Sequence, residues 1–232
     1  MRKTILVLLI ISMSVPGAFA RKPRDKAGTV SNHVYTDKKY NFNITFNDNW
    51  KYKIKANKEH YRLYLTQMDY EIPPDYLNAP DYTLIPKILV FVDTTSLSVP
   101  AFVDSLLSEK YKSKQKKEIS KEFELFNSSF GSSTLVLEKI VPRKRKNIKI
   151  SGVKSLFWTG LVKYRHEIST STAFSGGGGV RVYGGYGINI IGVKKKNRIF
   201  LFLTQGEWVY FDNIINQALE LAKSLEWIEE KK

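Results

Sequence analysis

The chain predicts an α+β fold, a central antiparallel β-sheet flanked by helices. Three observations predict it. Short segments alternate apolar and polar residues at the period of a half-buried strand. Clusters of Asn, Asp, Gly and Pro separate those segments as turns would. Only two segments carry apolar residues at helical spacing, one set among the strands and one closing the chain.

The elements follow in order. Arg2 and Lys3 precede an apolar run over residues 5–11, Pro16 and Gly17 break it, and Ala18 and Ala20 are small residues of the kind a signal peptidase accepts. Residues 1–20 therefore read as a signal peptide cleaved after Ala20. The run is far below the roughly 20 residues that span a bilayer. Removing Arg2 and Lys3 with no acid lowers the formal charge by two, from +15 to +13. Residues 21–33 are charged and poor in large apolar groups, a flexible basic leader. Residues 34–230 are then one domain, since the mature length suits one well-buried core better than two.

Structure is expected to begin near Val34. Phe42, Ile44 and Phe46 alternate with polar residues as one strand, Asn47, Asp48 and Asn49 turn, and Trp50, Tyr52 and Ile54 alternate with lysines as a second strand. Residues 61–66 make a third. Four prolines between residues 72 and 86 place that segment in a surface loop. Residues 87–92 are apolar throughout, as in a strand covered on both faces. Ser98 can cap a helix with Pro100 in its first turn, and Phe102, Val103, Leu106 and Leu107 give it an apolar face. Lys110, Lys112 and Lys114 would complement its C-terminal dipole. Strands are expected over 119–126, 133–141, 148–164 with a break at Gly152 or Gly160, and 186–193. Residues 194–198 form a hairpin tip, and residues 199–203 pair back. Phe211, Ile214, Ile215, Ala218, Ala222 and Leu225 recur at helical spacing on the closing helix.

Residues 40–50, an aromatic strand leading through a turn to Trp50, resemble the opening of the PsbP-like family. Residues 93–106 are similar to its strand-to-helix passage, and the 193–202 hairpin before a closing helix is similar again. The sequence departs from the pattern at Asn41, where glycine is usual, and at Asn47, where proline often precedes the turn. The resemblance implies an α/β/α sandwich and a binding or assembly role. It carries no catalytic residues across.

Composition narrows the chemistry. The chain has no cysteine, so disulfides and thiolate metal sites do not contribute. Export without disulfides suits a bacterial periplasm or exterior. His33, His60 and His166 are the only histidines, and none has a second ligand at metal spacing. No metal or cofactor is therefore expected. No Gly-x-Ser-x-Gly elbow surrounds a serine.

Seven of the 14 glycines lie within residues 176–187. A P-loop would need a lysine directly after them, and no alignment places glycines at i, i+2 and i+5 as a dinucleotide fingerprint requires. A strand rather than a helix follows, so the run is expected to be a long hairpin connection. Its aromatic residues allow a binding loop as well as a merely mobile one.

Positive charge clusters at residues 110–117, at Arg143, Lys144, Arg145 and Lys146, and at Lys194, Lys195, Lys196 and Arg198. Two of the clusters are expected at hairpin tips. Together with Arg181, Tyr183 and Tyr186 of the glycine segment, the second and third clusters are the candidate partner-binding residues. They point to an anionic envelope component or another exported protein. The competing explanation is solubility plus lysines that guard sheet edges. Nucleic acid fits badly with export. The function read from these features is an exported, non-enzymatic binding or assembly protein of the cell envelope. The alternative is an exported hydrolase whose carboxylates, Asp69, Glu71 and Asp75, lie near the proline loop. The catalytic residues of such an enzyme are not identified.

Overall fold

The computed structural model describes residues 28–54, 60–71, 85–108, 119, 134–170 and 178–229, with backbone alone for 134–137, 164–170 and 178–183. Among these residues the chain forms two antiparallel sheets and two helices. The smaller sheet contains β1 (Thr29–Ser31), β2 (Val34–Asp37), β3 (Phe42–Thr45) and β11 (Glu226–Trp227) in that spatial order. The larger has seven strands: β4 (Trp50–Lys53), β5 (Tyr61–Gln67), β6 (Lys87–Thr94), β10 (Arg198–Glu207), β9 (Gly178–Lys195), β8 (Val153–Thr170) and β7 (Thr134–Ile150). It is two meanders joined edge to edge where β10 pairs with β6.

Alternation along the strands separates two apolar clusters. Leu156, Trp158, Ile188, Ile190 and Leu201 face helix α1 (Val99–Leu107), whose Phe102, Val103 and Leu106 complete that cluster. Phe157, Ile191, Val193, Phe200 and Phe202 face the smaller sheet and helix α2 (Phe211–Lys223). Neighbours such as Ile190 and Ile191 fall into different clusters because successive strand side chains point to opposite faces. Residues 88–92 are buried throughout, as a strand covered on both sides requires. The larger sheet therefore carries one helix on each face, but on one face much of the cover is a second sheet. The expected helix-flanked single sheet is met in part.

The turn at Asn47, Asp48 and Asn49 moves the chain from one sheet to the other instead of closing a hairpin. Beyond it Tyr52 is 47% exposed because β4 is an edge strand. Among the described residues the first strand starts at Thr29, earlier than Val34, since β1 pairs with β2 through a two-residue turn at Asn32 and His33. Both turn residues have positive φ, as do Ser151 and Gly152 between β7 and β8, which is the backbone a tight primed hairpin turn demands. Asn41 stands at φ 56°, in the left-handed region that asparagine tolerates in place of glycine.

The Ser98 side chain accepts a hydrogen bond from the Ala101 amide at 3.3 Å and caps α1, with Pro100 in the first turn. The helix ends at Leu107, before Lys110, Lys112 and Lys114, which lie outside the described residues. Of residues 119–126 only Ile119 is described, and it is helical and buried, not a strand residue.

The glycine segment is also corrected. Residues 178–187 belong to β9 and pair in register with β8, from Thr170 opposite Gly178 to Leu161 opposite Gly187. Gly176 and Gly177 lie outside the described residues. Gly187 is required by packing. A Cβ there would sit 2.3 Å from the Phe211 ring, so only a bare backbone lets α2 approach the sheet.

Candidate functional site

The tip between β9 and β10 is a two-residue turn, Lys196 and Asn197, with Lys195 paired opposite Arg198. Lys196 has φ 55°, a conformation that favours glycine or asparagine. Paired residues share a face, so Lys195 and Arg198 project together, on the side where Phe200 and Trp227 lie. Lys194 belongs to the opposite face. Its ammonium donates to the carbonyls of Ser96 (3.1 Å) and Leu97 (2.5 Å) and ties the hairpin to the start of α1.

On the shared face a cavity of about 400 Å³ opens between three segments. The hairpin tip supplies Lys195, Lys196, Asn197 and Arg198, the β2–β3 turn supplies Tyr40 and Asn41, and the residues at and after β11 supply Trp227, Ile228 and Glu229. Pairing of β11 with β3 brings the segment after the last helix beside β3 here, with Trp227 opposite Phe42 and the Ile228 amide donating to Asn41 O at 3.0 Å. Phe200 forms the floor, edge-on to Trp227 at 5.0 Å and to Phe42 at 5.4 Å.

The cations are held by rings. Lys195 Nζ lies 4.2 Å from the Trp227 ring centroid, and the Arg198 guanidinium carbon lies 5.2 Å from that of Tyr40. Such contacts orient a cation without neutralising it. Burial, reinforced by Lys196, lowers the Lys195 pKa, while Glu229 opposes the shift. The Trp227 Nε1–H is buried without a hydrogen-bond partner.

Tyr40 is fixed from behind by a buried ionic cluster. Asp37 Oδ1 accepts the Tyr40 amide at 3.0 Å, and Asp37 Oδ2 accepts Arg62 Nε at 2.5 Å and Tyr35 Oη at 2.8 Å. Asp37 is 0% exposed and Arg62 3%. Burial first, then Asp37, pushes the Tyr35 phenol well above its usual range. Burial pulls the Arg62 pKa down, but the bond to Asp37 and its charge outweigh that and raise it. The Arg62 guanidinium also lies 4.7 Å from the centroid of the Tyr40 ring, and Tyr40 lines the cavity.

The second basic cluster is arranged differently. Arg143, Lys144, Arg145 and Lys146 lie within β7, at the edge of the larger sheet, and not at a hairpin tip. Alternation splits them between faces. Arg145 is opposite Trp158 and makes a two-pronged bond to Asp104 of α1 at 2.8 and 3.1 Å. Lys146 is opposite Phe157 and lies 5.1 Å from that ring. Arg143 lies 5.4 Å from the Trp208 ring. An open groove of about 430 Å³ runs beside Pro142, Arg143, Lys144 and Asp104. Three of the four cations thus have local partners, and a register shift at Pro142 and Lys144 interrupts the strand. Those are the devices by which an exposed edge avoids pairing.

Arg181 and Tyr183 lie on β9 opposite Glu167 and Arg165, and their side chains are outside the described residues. Tyr186 is corrected outright. It is 1% exposed within the cluster under α1, because an aromatic ring on that face completes the core, and it offers no contact surface.

Asp69 and Glu71 are exposed, neither lines the two cavities above, and Asp75 lies outside the described residues. His33 packs edge-on against Phe46, and His60 Nδ1 lies 3.2 Å from Val92 O and 3.4 Å from Asp93 Oδ1. His166 has no described side chain. Among the described residues no group of three His, Cys, Asp or Glu side chains could hold a metal, and no helix is long and apolar enough to cross a membrane. Sequence reasoning missed Tyr40, Trp227, Glu229 and the Asp37–Arg62 pair. Tyr40 follows Lys38 and Lys39, but Trp227 stands between Glu226 and Ile228, so the local sequence marks neither as part of a basic site.

No protein-family model and no curated protein matches the chain. Among solved structures it is similar to cyanobacterial PsbP (CyanoP) from Synechocystis sp. PCC 6803, at 10% identity and TM-score 0.43 over 88% of this chain and 99% of that one. It is similar to LpqN of Mycobacterium tuberculosis, a protein involved in cell envelope biogenesis, at 8% identity and TM-score 0.42 over 81% and 83% of the two chains. A structure from Bacteroides thetaiotaomicron matches at 13% identity and TM-score 0.36, over 82% of this chain and 46% of that one. The PsbP-like fold expected from the sequence is represented among these neighbours.

Proposed function

We propose that this chain is an exported, non-enzymatic binding or assembly protein of the cell envelope. It engages an anionic partner through the β9–β10 hairpin tip. The signal-like N-terminus and the formal charge of +13 left after its removal support export and an anionic partner. The observation that carries the reading is the convergence of Lys195, Lys196 and Arg198 on one cavity, two of them seated on aromatic rings. The β7 cluster is assigned to edge protection, not to recognition.

The test is binding of residues 21–232, the chain after signal removal, to phosphatidylglycerol vesicles across a salt series. Affinity is expected to fall steeply as salt rises, because exposed charges are screened beyond about 10 Å at 0.1 M salt. No binding at low salt sinks the proposal.

A further inference from the structure

We infer that the cavity between the hairpin tip and β11 is a binding site for a phosphate monoester carried on a sugar or other polyol. The inference rests on the anionic-partner reading above and makes it specific. Lys195, Lys196 and Arg198 bring three positive charges to the cavity, and Glu229 brings the one negative charge among its lining residues. The balance of +2 complements a phosphomonoester, which carries about −1.5 to −2 near neutral pH, better than a carboxylate or a phosphodiester with a single charge. The donor set fits the same group. Arg198 offers a planar fork for two phosphate oxygens, and the lysines offer point charges.

Size points beyond a bare phosphate. A cavity of about 400 Å³ falls in the range of small-molecule sites and leaves room for the group that carries the ester. Asn41, Asn197 and Glu229 line it and supply both donors and acceptors for hydroxyls. The site is also built before any ligand arrives. Rings hold Lys195 and Arg198, and the Asp37 cluster holds Tyr40. Lys196 keeps a backbone conformation that favours a smaller residue, a form of strain that collects at ligand sites. The lowered pKa of Lys195 is consistent with an ammonium that a bound anion would relieve.

The test titrates the full chain with glucose 6-phosphate, inorganic phosphate, glucuronate and glucose, following the Trp227 indole N–H by NMR. Vesicles of phosphatidylcholine doped with phosphatidic acid or with phosphatidylglycerol form the second arm. Glucose 6-phosphate is expected to bind at least tenfold more tightly than glucuronate and to shift the indole signal. Its affinity should fall as pH drops through about 6, where the ester dianion takes up a proton and becomes a monoanion. Lys196→Gln, at an exposed turn, and Arg198→Lys should each weaken binding severalfold with unfolding unchanged.

Binding of the soluble ester assigns a sugar phosphate. Preference for phosphatidic acid vesicles without binding of the soluble ester assigns a lipid headgroup. Equal affinity for glucuronate, or binding indifferent to both variants, overturns the inference. Binding to phosphatidylglycerol with no preference for any monoester also overturns it while leaving the broader anionic-partner reading standing. No binding to any probe removes both.

Discussion

Asp37→Asn is the perturbation whose size the structure determines best. The substitution keeps the shape of the side chain and removes its charge. Arg62, 3% exposed, would then hold a buried guanidinium with no counter-charge on its Nε partner, and Tyr35 would lose an anionic acceptor. Removing one member of a buried ion pair costs about 3–5 kcal/mol, because the remaining charge stays desolvated. Total stability for a domain is about 5–15 kcal/mol, so the loss is a large fraction of it. With a shift of about 2–4 °C per kcal/mol for a chain of this size, the melting point should drop by roughly 6–20 °C. Urea unfolding of the wild type, Asp37→Asn, Arg62→Met and the double variant measures this. The double variant should be more stable than Asp37→Asn alone, since it no longer buries a guanidinium that has lost the Asp37 carboxylate. A loss below about 1 kcal/mol for Asp37→Asn, or strict additivity in the double variant, would refute the claim that this cluster anchors the Tyr40 turn.

Three further outcomes follow from single positions. Tyr35 ionises in the unfolded chain near pH 10 but at higher pH in the fold, so the folded state binds more protons there. Stability should be fully present below about pH 10 and fall as pH rises above it, and Tyr35→Phe should reduce that alkaline loss while costing about 1.5–3 kcal/mol at neutral pH. Gly187→Ala places a methyl 2.3 Å from the Phe211 ring and should destabilise by about 1–3 kcal/mol in urea unfolding as α2 is pushed off the sheet. Lys196→Gly relieves a backbone at φ 55° and should raise stability by about 0.5–1 kcal/mol in the same assay, yet weaken vesicle binding.

The parts of the fold that were legible in the sequence are those governed by one segment's own pattern. Residues 87–92 showed burial on both faces, Ser98 and Pro100 marked the start of α1, and the spacing from Phe211 to Leu225 outlined α2. What depends on a partner segment was not legible. Alternation at Phe42 and Trp50 specifies which face is buried but not which sheet each strand joins, so the turn at Asn47 is legible but the passage between sheets is not. Glycine's weak strand preference made residues 178–187 look like a loop, whereas pairing along β8 overrides it. The charge run beginning at Arg143 has the composition of a tip and occupies an edge, two settings that both favour exposed cations.

The candidate site was half legible for the same reason. Lys195, Lys196 and Arg198 stand out as a charge run. Their aromatic seats come from Tyr40 and Trp227, which neighbour them only because β11 returns to β3. Asp37, followed by Lys38 and Lys39, has the sequence signature of a surface turn. Its burial follows from Arg62 on a strand of the other sheet.

The most direct test of recognition by the hairpin tip compares two triple variants in binding to phosphatidylglycerol vesicles. One is Lys195→Gln, Lys196→Gln, Arg198→Gln, and the other is Arg143→Gln, Lys144→Gln, Lys146→Gln on β7. At about 1 kcal/mol per cation near an anionic surface, the first should lose on the order of 100-fold in affinity while the second changes little. Equal losses from the two would contradict a site at the tip and leave only the overall positive charge of the chain.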